Sequence, residues 1–223
     1  PLREMRLPLR RLLSTLGSAR QGRPRADLQL FEASDDETLA QVTASFTVEQ
    51  NFVTAEEESR LIDEIEPHLK RLRYEDAHWD GAILGYREVE RKHWSAENRL
   101  VMDRIRAYCF EPKALHLPMV HCLDVAKDGE IKPHVDAVRF CGDPIVGLSL
   151  MSTALMRLAL ERDSSRWVKI LLPQRSIYIM SGTTRYDFTH AILAEHESTF
   201  KDKRVHRERR ISVMFRVEPS NPD

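Results

Sequence analysis

Gly129-Glu-Ile-Lys-Pro-His-Val-Asp136 is the stretch on which the fold turns. Asp128-Gly129 ahead of it is a tight-turn signal. Pro133 forces Lys132 into an extended conformation, so Ile131 to Val135 reads as a strand. On a strand, residues two apart point to the same side, which places His134 and Asp136 side by side. Further short apolar runs lie on both sides: Leu117 to Leu123 before it, then Ile145 to Met151, Met156 to Leu160, Val168 to Leu172, Ser176 to Met180 and Ile211 to Val217. Upstream the period changes. Thr54-Ala-Glu-Glu57 is a capping box, and Leu61, Ile62, Ile65, Leu69 and Leu72 recur behind it at helical intervals, predicting a helix over 54–73. Ser95 caps a second predicted helix with Val101, Ile105 and Tyr108 on one face. A helical start followed by many short strands predicts an α+β, mainly β domain: a β-sandwich or jelly roll with the N-terminal helices packed outside.

Two histidines and one carboxylate can hold Fe(II) on one face and leave three positions open for chemistry. The sequence form is His-x-Asp/Glu on one strand and a distant second histidine. The short motif alone decides little, because it occurs at His78-Trp-Asp80 and His134-Val-Asp136, with His206-Arg-Glu208 as a glutamate version. Context selects His134. It follows a turn and a strand, and more strands and His190 come after it. His78 lies in an aromatic segment with no clear strand, and His206 comes too late for a distal partner. Alone, His190 would read as a hydrogen-bonded core histidine.

The last strand reads Arg210-Ile-Ser-Val-Met-Phe-Arg216. Ile211, Val213, Phe215 and Val217 form an apolar face, and Arg210, Ser212, Met214 and Arg216 form the other. If that second face is inward, its arginines require an anion, and a dicarboxylate offers one at each end. The competing reading is a surface strand with its arginines in water. Tyr178, in Ser176-Ile-Tyr-Ile-Met180, stands on the face opposite Ile177 and Ile179. Its phenol could donate to a carboxylate, or it is an ordinary core or rim tyrosine.

At 223 residues and a formal net charge of −1, the chain can bury one core and carries no overall field for nucleic acid. No apolar run is long enough to span a bilayer. Cys109, Cys122 and Cys141 form no CxxC, which argues against a disulfide framework and a thiolate zinc site. From Pro1 to Arg25, seven arginines and six leucines face one acid, Glu4, with no lysine. That is the composition of a mitochondrial presequence, although a basic tail or nucleic-acid arm has it too. The expected layout is a targeting segment and linker over 1–38, a folded domain over 39–218 and a tail over 219–223. The aromatic segment from Tyr74 to Trp94 reads as a substrate lid or as a hairpin packed on the core. Lys201, Lys203, Arg204, Arg207, Arg209 and Arg210 could form a basic strip for RNA, or be solvated beside Asp202 and Glu208.

His134-Val-Asp136, His190 and Arg210-x5-Arg216 together resemble the AlkB family of iron and 2-oxoglutarate dioxygenases. The mitochondrial animal members are the more similar ones, through Ile131 to Asp136, Arg139-Phe-Cys-Gly142, Gly147-Leu-Ser-Leu150, Arg185-Tyr-Asp-Phe188 and Arg209 to Val213. The likeness runs over residues 45–218 and implies a double-stranded β-helix. It implies that His134, Asp136 and His190 are the catalytic iron ligands. It gives Arg210 and Tyr178 the distal carboxylate of 2-oxoglutarate, and Arg216 the other end. Fe(II), 2-oxoglutarate and O2 would be the cofactor and cosubstrates, succinate and CO2 the coproducts, and a hydroxylated C–H bond the result. One departure matters: nucleic-acid-repairing members carry Asn-x-Tyr upstream of the iron motif, where this chain has His121-Cys-Leu-Asp124. The resemblance therefore points to protein side chains as substrate, in the mitochondrial matrix, with links to fatty-acid metabolism and programmed necrosis. Demethylation of methylated mitochondrial RNA is the alternative, and a non-catalytic jelly-roll interaction protein is the second.

Overall fold

The computed structural model describes residues 26–76 and 81–219. The arginine-rich segment before Ala26, the His78-x-Asp80 motif and residues 220–223 lie outside the described residues. In chain order the elements are β1 (Phe31–Ala33), α1 (Asp36–Thr43), β2 (Phe46–Glu49), α2 (Ala55–Leu69), β3 (Ile83–Arg91), α3 (Ala96–Cys109) and β4 (Val120–His134). Then come β5 (Ile145–Leu150), β6 (Ala154–Leu160), β7 (Asp163–Leu172), β8 (Ile177–Met180), α4 (Gly182–Tyr186), β9 (Phe188–Ile192), β10 (Thr199–Phe200), β11 (Lys203–Arg204) and β12 (Arg210–Phe215).

Ten strands form one curled antiparallel sheet in the order β1-β7-β6-β9-β4-β12-β5-β8-β2, with β3 also on β4. The long strand β4 makes the curl. Its first half pairs with β12, from Met214↔His121 to Arg210↔Val125, and its end pairs with β9 at Ile131↔Ile192 and His134↔His190. One strand thus belongs to both walls of a jelly roll, and its last residues sit where the walls meet.

Alternation along the strands builds two cores. Between the walls lie Phe46, Ile145, Met156, Leu158, Val168, Ile170, Leu172 and Phe188. Behind one wall, Leu61, Ile65 and Leu69 of α2 and Val101, Met102 and Ile105 of α3 cover Val146, Leu148, Ile177, Ile179, Ile211, Val213 and Phe215. Each fully buried large side chain contributes roughly 1.5–3 kcal/mol. The two helices start where the sequence places them. Thr54 Oγ1 accepts from the Glu57 amide at 3.2 Å while Glu57 accepts from the Thr54 amide at 3.0 Å, and Ser95 Oγ accepts from the Asn98 amide at 3.3 Å. Among the described residues no helix is long and apolar enough to cross a membrane.

Two expectations fail. Asp128-Gly129 is not a turn, because β4 runs straight through it. Gly129 serves a close approach instead: a Cβ there would sit 2.6 Å from the carbonyl oxygens of Leu84 and Gly85, where β3 is bulged and Gly85 has φ +60°. A glycine inside a strand marks such a crossing as readily as a reversal. The packed chain also begins ahead of residue 39, since Leu30 and Phe31 are buried and β1 pairs with β7. Of the aromatic segment, residues 83–91 form β3, with Tyr86 in the core, which is the packed-strand reading for that part.

Candidate active site

The residues expected on the inner face of the jelly roll converge on one cavity, lined by His134, Asp136, Tyr178, His190, Arg210, Ser212 and Arg216 together with aliphatic side chains. His134 and His190 are register partners at the meeting of β4 and β9, and their ring centroids are 4.2 Å apart. Asp136 follows two residues after the end of β4. The ligand atoms of these three side chains all lie within 4.8 Å of one another.

Their orientations suit a metal. His134 Nδ1–H donates to the Lys132 carbonyl at 2.8 Å, which turns Nε2 toward the cluster. Asp136 Oδ1 lies 3.2 Å from His134 Nε2 and 3.6 Å from His190 Nε2. Its other oxygen, Oδ2, accepts from Arg216 Nη2 at 3.3 Å. Burial works against charge on Asp136, but His134, His190 and Arg216 outweigh it and hold the carboxyl well below the usual carboxylate range. Burial pushes His190 down to about 4. At neutral pH the cluster is therefore a carboxylate and a neutral imidazole, the protonation states a metal requires.

The other half of the cavity is cationic. Arg210 is 1% exposed, and its Nε donates to Ser149 Oγ at 2.9 Å. Its Nη2 has no hydrogen-bond partner among the described residues. Burial pushes its pKa down, but a guanidinium stays charged in a protein. A buried cation with an unpaired donor calls for an anion. Tyr178 lies beside it, 4% exposed, its phenol pushed up by burial with Arg210 opposing. The alternation expected on the two strands is present: Ile211, Val213 and Phe215 pack behind the wall with Ile177 and Ile179, while Arg210, Met214 and Tyr178 turn inward.

Three contributors are not evident from motif spacing. Ser149 fixes Arg210. Gly147, the register partner of Tyr178, leaves the space that the phenol ring fills, since a Cβ there would collide with it. The period-two alternation of Gly147-Leu-Ser-Leu150 was the available signal for both. Arg185, 1% exposed, donates to the carbonyls of Asp136 at 2.8 Å, Cys141 at 3.1 Å and Gly142 at 3.4 Å, so it holds the loop that carries Asp136. Nothing in its sequence context signals that role. The rival His206 is exposed beside Glu195, with neither Asp136 nor His190 near it.

Comparison with known proteins agrees with this geometry. The family described as 2OG-Fe(II) oxygenase superfamily matches residues 44–216. The mouse protein named alpha-ketoglutarate-dependent dioxygenase alkB homolog 7, mitochondrial, is 45% identical over 186 residues, 83% of this chain and 84% of its own. Its namesake from cattle is 44% identical over 181 residues, 81% and 82% of the two chains. Among solved structures, OsALKBH1 superposes with a TM-score of 0.56 at 16% identity over 77% of this chain and 97% of its own. A Pseudomonas putida prolyl-4-hydroxylase gives 0.52 at 15% identity over 82% and 96%. At that identity the solved structures speak to the fold.

Proposed function

Since the chain belongs to the 2OG-Fe(II) oxygenase superfamily, in its AlkB homolog 7 branch, we propose that it hydroxylates an aliphatic side chain of a protein substrate in the mitochondrial matrix. Enzymes of this superfamily use Fe(II), 2-oxoglutarate and O2, and the donor set found here fits: two imidazoles and a carboxylate for the metal, and a buried arginine without an anion. That unpaired Arg210 is the observation that carries the reading, because in a merely structural jelly roll it would be a buried charge with no compensation.

In this reading His134, Asp136 and His190 hold Fe(II). Arg210 and Tyr178 take the distal carboxylate of 2-oxoglutarate, and Arg216 faces the end nearer the metal. Bound together, iron, 2-oxoglutarate and O2 supply an oxidant able to hydroxylate a C–H bond, with succinate and CO2 as coproducts. The chain's own part is to orient and to keep water away. Arg185 fixes the loop of Asp136. Ser149 aims Arg210. Ile83, Leu123, Ile131, Met156 and Ile192 line the cavity around the metal cluster.

That lining supports an aliphatic target. The aromatic and donor groups that share the cavity, Tyr178, His121, Ser212, Arg210 and Arg216, include the set that this reading gives to 2-oxoglutarate. Only part of the basic strip weighed for RNA is a surface, since Lys201, Lys203 and Arg204 are exposed and the other three are not free. Arg207 and Arg210 are each 1% exposed, and Arg209 is tied to Asp124 and Glu66. The names of the mouse and cattle relatives support a mitochondrial location, and the matrix, with an association with fatty-acid metabolism and programmed necrosis, is part of the proposal.

The test is anaerobic titration with Fe(II) and then 2-oxoglutarate, followed by incubation with peptides from matrix proteins in air. A visible charge-transfer band that needs both additions, and a gain of 16 mass units (one oxygen) on a peptide, support the reading. A band without any peptide product, beside loss of a methyl group from RNA, would move the substrate to RNA.

A further inference from the structure

Across the inner face of the jelly roll, four polar side chains stand in a row, two from strands β3 and β4, one from the residue after β12 and one from the loop after β4. Glu88 on β3 has Oε2 2.7 Å from His121 Nε2 on β4. His121 Nδ1 is 3.5 Å from Arg216 Nη1, just past β12. Arg216 Nη2 donates to Asp136 Oδ2 at 3.3 Å. The sheet register makes the row. Glu88 is the partner of Leu123 and so lies diagonal to His121, while Met214 is the partner of His121 and puts Arg216 diagonal on its other side.

Hydrogen-bond chemistry gives the row a direction. A guanidinium has donors only, so His121 Nδ1 must be the acceptor. The neutral ring then carries its proton on Nε2, and Glu88 is placed to accept it. Were Glu88 apolar, nothing would hold the proton on that nitrogen, and the other tautomer would aim N–H at Arg216. Downstream, the guanidinium occupies Asp136 Oδ2 and leaves Oδ1, the oxygen facing both histidines, for the metal.

We propose that Glu88 and His121 are positioning residues: they fix one tautomer of His121, which orients Arg216, which keeps Asp136 a one-oxygen ligand. This rests on the reading of His134, Asp136 and His190 as the metal site. Neither residue belongs to the His134, Asp136 and His190 cluster, and His121 lines the same cavity.

The experiment is Co(II) titration of metal-free protein, with 2-oxoglutarate KM and kcat for succinate release measured separately on the iron-loaded enzyme. Loss of a group that orients a metal ligand typically weakens metal binding about 10–100-fold. His121→Leu should therefore weaken Co(II) about tenfold or more. His121→Asn, whose side-chain oxygen can still accept from Arg216, should recover to within about threefold of the parent. Glu88→Leu should weaken Co(II) by an intermediate factor, and Glu88→Gln less. The KM for 2-oxoglutarate should rise with the Co(II) Kd across the series, with kcat changing less. If Leu and Asn at 121 bind Co(II) equally, or all four variants match the parent while losing thermal stability alike, the row is packing and the proposal fails. Should His121→Leu not fold, the Asn and Glu88 variants still decide it. Parent protein that binds no Co(II) at all would instead overturn the metal site itself.

Discussion

Asp124 and Asp136 are both buried carboxylates, one within β4 and one just beyond its end, and their surroundings are opposite in kind. Asp124 is fully enclosed and saturated. Arg87 Nε donates at 2.7 Å, Arg209 Nε and Nη2 at 2.9 and 2.8 Å, and the Tyr74 phenol at 3.2 Å to each oxygen. Arg209 is in turn held by Glu66 of α2 at 2.6 Å. Charges balance, every contact is short, and the cluster clamps β3, β4, β12 and α2 together. Asp136 has one guanidinium at 3.3 Å and two imidazoles at 3.2 and 3.6 Å. Its neighbours are better metal ligands than proton donors. A carboxylate whose donors are satisfied is a structural tie, and one left loosely held among histidines is a binding site.

The largest effects should separate the two completely. Asp136→Ala and His190→Ala should leave a folded protein that retains no Fe(II), measured as metal content after gel filtration alongside circular dichroism. Iron that survives either change would erase the distinction. Asp124→Ala should do the reverse. It leaves Arg87 without a carboxylate and Arg209 with Glu66 alone, so unfolding in urea should show a loss of about 1.5–3 kcal/mol. The fraction that remains folded should still bind one metal per chain. If it lost metal without losing stability, Asp124 would belong to the site.

Adjacent residues sharpen the contrast at a smaller scale. Arg209 and Arg210 are neighbours on opposite faces of β12, one paired with Asp124 and one without an anion. Arg209→Met should destabilise the protein and leave 2-oxoglutarate binding unchanged. Arg210→Met removes an uncompensated buried charge, so the metal-free protein should be as stable as the parent or more so. Its 2-oxoglutarate affinity should fall by about 1.5–3 kcal/mol, roughly 10–150-fold, by calorimetric titration of the Fe(II) form without oxygen. A drop in stability without a change in affinity would exchange the roles of the two arginines.

Sequence patterns foretold some of this and not the rest, for definable reasons. The period of two put Arg210 and Arg216 on one face of their strand and set Tyr178 opposite Ile177 and Ile179, because alternation is local, but it left open which face turns inward. The helix starts at Thr54 and Ser95 were legible for the same reason: a cap is a contact between residues three apart. Asp128-Gly129 misled because the close approach of Leu84 and Gly85 from the neighbouring strand is a long-range fact. The cluster from Lys201 to Arg210 stayed open between two readings because closeness in sequence says nothing about direction. Arg207 turns in to donate to the Leu193 and Ala126 carbonyls, Arg209 turns to α2, and Arg210 turns into the cavity. Arg185 and Asp124 could not be read at all, since their partners come from segments distant in the chain.

The smallest effect tests how far the cationic half of the cavity depends on one hydroxyl. Tyr178→Phe removes a single donor from beside Arg210 and keeps the ring that stacks on Phe46 at 5.6 Å. One neutral hydrogen bond contributes about 0.5–1.5 kcal/mol, so the Kd for 2-oxoglutarate should rise roughly 2–12-fold with stability little changed. Gly147→Ala attacks the same group from the other side. Its methyl would occupy the space of the Tyr178 ring, which must then shift or tilt, taking the hydroxyl out of line. It should lower both stability and affinity, because a fully packed wall has nowhere to move the ring without strain. Combining the two changes distinguishes the causes. If Gly147→Ala acts on 2-oxoglutarate only by displacing the hydroxyl, it adds nothing to the affinity loss of Tyr178→Phe while still lowering the melting temperature. If the affinity losses add, the ring's displacement also disturbs Arg210, and the phenol is a brace for the arginine as well as a donor to the ligand.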